Sequence, residues 1–452
     1  MDVVVDSLAW IPTDQLTHMQ VAGLKAQLTM KPKKFSGVPG PSPQPYPLYR
    51  EKPGFIGVPR AFFLDNKKPH HTIIDQTTQG RHDLWDGPLT FAGTLRPDQQ
   101  EALDTVLKAF KSDEGYGGLV RAVTGWGKTV WSCAFMAALG VPTLVVVHKE
   151  FLVNQWKERI EQFLPGTKVG IVQQDRCEYK DCGVVIGMIH SLVGDRDYGE
   201  EFFGWPGLII TDETHRIGAE TWSAVPTKFK ARWRLGVSAT PRRKDGCEDV
   251  FFTHIGKLLY ASVEQRMTPK VRRVWTDFKL VQTATLNPSL VSKQVLLKFL
   301  CGNVARNRII VEQLMQAVAA GRKPIVLSER LNHLDVLEAN FRKEWASRQT
   351  APVPSVGFYV GGQSEDDLEE AAKAQVIFAT RQFAEEGLDI PALDTIFLTT
   401  PMSDVEQAVG RILRPCDGKK DPVVVDFRDD KVPTCAKAAV YRDKFYFGKG
   451  WK

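Results

Sequence analysis

Ala122-Val-Thr-Gly-Trp-Gly-Lys-Thr129 governs how the rest of the chain is read. It closes an apolar, β-rich run at 119–123 and opens a helical-period segment at 128–139, the strand–loop–helix setting in which backbone N–H groups wrap a phosphate. Thr124, Gly125, Trp126 and Gly127 form the loop, Lys128 is placed to put a point charge on the terminal phosphates, and Thr129 to ligand Mg²⁺. Trp126 is the odd member, because its ring has to turn away from the phosphates. Packing and contact with a partner both remain open for it.

Outward from this loop, short apolar runs at 119–123, 143–147, 183–189, 208–211 and 235–238 alternate with helical stretches such as 150–163. That alternation predicts a parallel sheet covered by helices. A second series follows at 324–327, 356–360, 375–379, 395–399 and 422–426, with helices at 331–345 and 404–413. The expected fold is α/β, two tandem parallel-sheet lobes with a small β-containing N-terminal module. Residues 1–94 form the module, 95–262 the first lobe, 263–286 a hinge, and 287–452 the second lobe with a C-terminal tail. Eight of the 27 prolines fall between positions 31 and 60, a composition that resists regular helix.

Leu208-Ile-Ile-Thr-Asp-Glu-Thr-His215 sets two adjacent carboxylates at the end of an apolar strand. Beside a phosphate loop they divide naturally into a metal-side acid, Asp212, and an acid that orients and deprotonates water, Glu213. Gln407-Ala-Val-Gly-Arg-Ile-Leu-Arg414 puts Arg411 and Arg414 three apart on a predicted helix, suited to a polyphosphate. The second lobe has no phosphate loop, so these arginines are expected to serve the first lobe's nucleotide as fingers, which makes the cleft between the lobes the expected active site.

Composition bounds the rest. At 452 residues, 43% hydrophobic and 25% charged, the chain is neither disordered nor fibrous, and no uncharged apolar run is long enough for a membrane span. A cytoplasmic protein with free thiols is expected, since its seven cysteines are odd in number and scattered. Cys177 and Cys182 look like half a zinc site that nothing completes. Net charge is only +6, but 228–244 holds seven basic residues and no acid, which suggests a polyanion partner.

In this order and spacing the three motifs resemble those of superfamily 2 helicases, over roughly residues 95–430. The resemblance implies that both lobes are RecA-like and that ATP and Mg²⁺ are the cofactors, and it extends to further positions. Leu95-Arg-Pro-Asp-Gln-Gln100 is similar to the family's adenine-recognition element, with Gln99 the base contact and Arg96 beside it. Val237-Ser-Ala-Thr-Pro241 resembles the motif that couples hydrolysis to nucleic-acid grip through Ser238 and Thr240. Glu386-Gly-Leu-Asp-Ile-Pro391 implies that Gly387 and Asp389 approach the nucleotide and that Thr380 meets a backbone phosphate. Gln407 belongs to the arginine-finger motif. His148, Lys149, His190 and Ser191 stand where first-lobe strand contacts lie, and Arg242, Arg243 and Lys244 flank the coupling motif at the cleft mouth.

Within the superfamily, the chain is most similar to the XPB, UvsW and RecG group, and among these to phage-encoded members that remodel branched DNA. The implied activity is an ATP-dependent helicase that unwinds or branch-migrates forked DNA, in the host-cell cytoplasm if phage-encoded, with a monomer as the working expectation and no membrane partner. Three alternatives stay open: a duplex translocase without strand separation, a nucleotide-gated clamp, and an RNA helicase.

Overall fold

The computed structural model describes residues 1–32, 44–85, 87–112, 115–123, 125–194, 196–212, 219–238, 247, 249–262, 267–280, 291–348, 351–386, 390–414, 416 and 418–451. They fall into two compact units, Met1–Val263 and Glu264–Lys452.

The first unit is built on an eight-stranded sheet in the spatial order Arg176–Cys177, Val169–Gln173, Val184–Met188, Thr143–Val147, Leu208–Asp212, Trp233–Ser238, Gly117–Arg121, Leu258–Ala261. Every pairing is parallel except that of the first two strands. Thr143–Val147 and Leu208–Asp212 are buried throughout, as strands must be when helices cover both faces. Helix Pro97–Phe110 shows why it packs: Ala102, Leu103, Val106 and Phe110 recur at helical spacing and are buried. Helix Lys128–Leu139 buries six consecutive residues, Trp131 to Met136, and stops at Gly140, whose φ of +69° permits a left-handed C-cap.

The N-terminal segment forms a five-stranded mixed sheet, Arg50–Lys52, Phe55–Val58, Ala9–Pro12, Asp2–Val5 and Thr72–Asp75. Its inward residues Val3, Val5, Ile11, Ile56 and Val58 belong to the same core as Leu119, Leu144 and Val185 of the large sheet. Arg234, buried on a central strand, donates to the Ser7 carbonyl at 2.7 Å. Arg232 pairs with Asp75 at 2.5 Å. The sequence break near residue 94 is therefore not a break in packing. Of the proline-rich stretch at 31–60, residues 33–43 lie outside the described residues, and Arg50–Lys52 and Phe55–Val58 are strands of this sheet.

The second unit carries a six-stranded, all-parallel sheet in the order Lys270–Trp275, Val423–Arg428, Thr395–Leu398, Pro324–Ser328, Val376–Thr380, Val356–Tyr359. Lys270–Trp275, expected within the 263–286 hinge, is instead its edge strand. Its basic residues hide the strand pattern, and the fold neutralises Arg273 with Asp443 at 3.1 Å. The helix expected over 404–413 also differs: α-helix spans Glu406–Gly410 and tightens to a 3₁₀ turn at Arg411–Leu413.

Under this sheet's C-terminal edge lies a buried polar chain. Asn307 Nδ2 donates to the Cys301 carbonyl at 2.8 Å, leaving Oδ1 to accept from His333 Nε2 at 3.1 Å. By that assignment His333 Nδ1 accepts from the Ser328 hydroxyl at 3.0 Å, so the ring is neutral. Burial, with the Arg306 charge adding, pushes His333 down to about 3. An unfolded histidine titrates near 6.5, so the stability tied to this ring is complete above that pH and is lost as pH falls towards 3. The expected loss at pH 5 is about 2 kcal/mol. Urea unfolding at pH 7.5 and 5.0 checks this, with His333→Gln expected to flatten the dependence. Identical pH dependence in the variant would remove His333 as its source.

Candidate nucleotide and nucleic-acid site

The phosphate loop leaves strand Gly117–Arg121 and turns through two left-handed glycines, Gly125 at φ +85° and Gly127 at φ +83°. Both need glycine for that conformation. Space adds a second reason at Gly127, where a Cβ would lie 2.8 Å from Gln99 Nε2. Lys128 and Thr129, both half-buried, then begin a twelve-residue helix whose first N–H groups and dipole favour an anion. The approach to the loop is pinned by Ser262: its N–H donates to the Arg121 carbonyl at 2.8 Å and its hydroxyl accepts from Val123 N–H at 3.1 Å. These features fit a polyphosphate.

Trp126 is a packing residue. Its ring is 4% exposed, lies 5.9 Å from Trp131 and 6.2 Å from Tyr260 between centroids, and donates through Nε1 to Asp98 at 2.6 Å. Its carbonyl accepts from both Gln99 Nε2 and Arg96 Nη2 at 2.7 Å. Gln99 Oε1 meanwhile accepts from Arg96 N–H at 2.9 Å. Both ends of the Gln99 amide are thus oriented by protein, each with one further donor or acceptor left for a base. Gly127→Ala, strained in φ and colliding with Gln99, is expected to cut ATP hydrolysis at least about tenfold by displacing the loop. Steady-state rates check this, and a variant with wild-type turnover would contradict it.

Strand register places the remaining first-lobe residues. Asp212 pairs with Val237, and Val237 with Val120, so Asp212 stands level with the base of the loop. Two strand spacings, about 10 Å, separate them. Ser238, buried and paired with Arg121, ends the strand between. On the far side of Asp212, His148 and Lys149 follow strand Thr143–Val147, and His190 and Ser191 follow Val184–Met188, whose Met188 pairs with Val147. The row at the sheet's C-terminal edge is therefore His190, His148, Asp212, Ser238, phosphate loop. Asp212 is 9% exposed and accepts from Trp156 Nε1 at 3.1 Å. Ser191 is buried and accepts from Gln174 N–H at 2.8 Å, whereas His190 is exposed.

Thr124, Glu213, Thr240, Arg242, Arg243, Lys244, Gly387 and Asp389 lie outside the described residues, as does His215. In the second unit Thr380 ends strand Val376–Thr380, level with Ser328. Gln407, Arg411 and Arg414 lie along the α-to-3₁₀ segment, all half-buried. A 3₁₀ turn repeats every three residues, which keeps Arg411 and Arg414 on one side.

Much of the basic stretch at 228–244 serves packing. Lys228 caps the Gly194 carbonyl at 3.0 Å, Arg232 pairs with Asp75, and Arg234 is buried. Trp233 is core, donating to the Phe110 carbonyl at 3.0 Å. Cys177 and Cys182 are free, and the described residues hold no group of three or more His, Cys, Asp or Glu able to bind a metal ion. No helix among them is long and apolar enough to cross a membrane. Trp156 and Ser262 support the site without belonging to any motif, so spacing alone gave no signal for them, and Asp98 fills the motif position that was given no role.

Residues 92–243 match the family described as type III restriction enzyme, res subunit. A relative from Acanthamoeba polyphaga mimivirus, bearing the name of an ATP-dependent RNA helicase, is 31% identical over 94% of this chain and 80% of its own. The chain belongs to the superfamily 2 helicases. It is thus an ATP-dependent enzyme of that superfamily, and viral relatives recur: a protein of Escherichia phage T5 with the name of a helicase is 24% identical over 88% of this chain and 84% of its own. A fragment of an HsdR subunit of a type I restriction enzyme from Vibrio vulnificus shares the helicase fold at TM-score 0.55 and 17% identity, over 78% of this chain and 66% of that one.

Proposed function

We propose that this helicase hydrolyses magnesium-ATP at the first lobe's sheet edge and uses the energy to unwind or branch-migrate forked and branched DNA. The observation that carries the reading is the row of strand ends, in which the phosphate loop, Ser238 and Asp212 stand on three adjacent strands. A nucleotide group and a nucleic-acid coupling group one strand apart can report on each other through the strand between them.

In this reading the loop amides and Lys128 hold the β- and γ-phosphates, and Arg96 and Gln99 position the base. Magnesium, ligated by Thr129 and Asp212, would screen the phosphate charge. Glu213 takes the proton from the attacking water. Gln407, Arg411 and Arg414 meet the charge that develops on the transferring group, with Gly387 and Asp389 beside it. Closure with ATP and opening after hydrolysis alternate the grip of His148, Lys149, His190, Ser191, Ser238, Thr240, Arg242, Arg243, Lys244 and Thr380 on backbone phosphates.

DNA is favoured by the restriction-enzyme family that residues 92–243 match. The name of the mimivirus relative favours RNA as a second reading. Strand release from a fork, a four-way junction, a blunt duplex and a matched RNA fork, each with and without ATP, separates them. The expected result is ATP-dependent release from forked or four-way DNA. Release from RNA alone would replace the substrate, and hydrolysis stimulated by duplex without release would make the protein a translocase.

A further inference from the structure

Helix Pro433–Gly448 has two unlike faces. Cys435, Ala439, Arg442 and Tyr446 recur at helical spacing and are buried. Arg442 donates to the Met402 carbonyl at 2.7 Å, and Asp443 pairs with Arg428 at 2.6 Å and with Arg273 at 3.1 Å. These bonds fix the helix and its rotation.

The opposite face carries Lys437, Val440, Tyr441, Lys444 and Phe447. Their spacing of three, four, seven and ten residues from Lys437 sets them along one stripe. All five are exposed, Val440 at 53%, Tyr441 at 48% and Phe447 at 73%. Three large apolar side chains stand about half exposed or more on one outward face, and such exposure marks an interaction surface. Its charge states the partner's sign. Two lysines stand on the stripe and no carboxylate does, because the helix's one acid, Asp443, is committed to Arg428 and Arg273. Lys444 Nζ lies 5.9 Å from the centre of the Tyr441 ring, so a cation and a stacking surface are adjacent.

We infer that this stripe is a nucleic-acid docking face, with Lys437 and Lys444 meeting phosphates while Tyr441 and Phe447 lie against bases. Cations interleaved with aromatics suit a single strand, whose bases stack on any ring regardless of sequence. The inference rests on the nucleic-acid reading above and extends it to a helix outside the helicase motifs.

Fluorescence anisotropy of the full chain with a labelled single-stranded DNA, titrated at several salt concentrations, tests it. Lys437→Ala with Lys444→Ala is expected to reduce the slope of log affinity against log salt by about 1.4, roughly 0.7 for each phosphate left without its lysine. Tyr441→Ala with Phe447→Ala is expected to weaken binding about tenfold at unchanged slope. Neither pair is expected to alter hydrolysis measured without nucleic acid. If the wild type binds and both variants keep its affinity and slope, the stripe is not a nucleic-acid face. If Phe447→Glu converts a dimer to a monomer by light scattering while DNA binding persists, a second copy is the occupant and the inference falls. A wild type that binds no strand, DNA or RNA, overturns the functional reading itself.

Discussion

Lys128→Ala is expected to lower kcat for ATP hydrolysis by about 10²–10³-fold while leaving nucleotide-free nucleic-acid binding intact. The magnitude is that of removing one positioned charge from a developing oxyanion. The residue opens a helix directly after two left-handed glycines, so the cradle persists in the variant and only the point charge is lost. The effect should therefore appear in turnover, with the fold unchanged by circular dichroism. A rate within threefold of wild type would show that the loop holds phosphate without Lys128 acting on it.

Asp429→Ala is expected to destabilise the second unit by about 3–5 kcal/mol, the typical cost of leaving a buried charge without its partner. Arg306 donates to Asp429 at 2.8 and 3.0 Å, and both residues are 3% exposed or less. Thr276 also donates to Asp429, at 2.5 Å, and Arg306 donates to the Thr399 carbonyl at 2.7 Å. The pair thus ties helix Val304–Ala319 to the ends of three strands. Removing both charges together, as Arg306→Met with Asp429→Leu, is expected to cost much less, because no buried ion is then stranded. Urea unfolding followed by circular dichroism measures both. A loss under about 1 kcal/mol in Asp429→Ala would mean that water reaches Arg306.

Where periodicity and punctuation agree, the sequence was legible to the residue. Helices Lys128–Leu139 and Glu150–Phe163 and strand Thr143–Val147 begin directly after Gly127, Lys149 and Pro142, and the first ends at Gly140. The turn through Gly125 and Gly127 was legible because a left-handed backbone calls for glycine, and both take positive φ. Lys270–Trp275 was not, since an edge strand needs little apolar surface and its arginines are answered far away in sequence, Arg273 by Asp443 and Arg272 by Gln316. The basic stretch was legible only in part: Asp75 and the carbonyls of Gly194 and Ser7, far from residues 228–234 in sequence, take up Arg232, Lys228 and Arg234. Trp126 could be read either way until Asp98, Trp131 and Tyr260 were seen around it.

Steady-state ATP hydrolysis by the purified chain in magnesium, with and without a single-stranded oligonucleotide, asks whether nucleotide and nucleic acid are coupled. Ser238 and the phosphate loop end neighbouring strands, so basal turnover is expected to be slow and to rise at least about tenfold with nucleic acid. Equal rates with and without a strand, for DNA and RNA alike, would contradict that coupling.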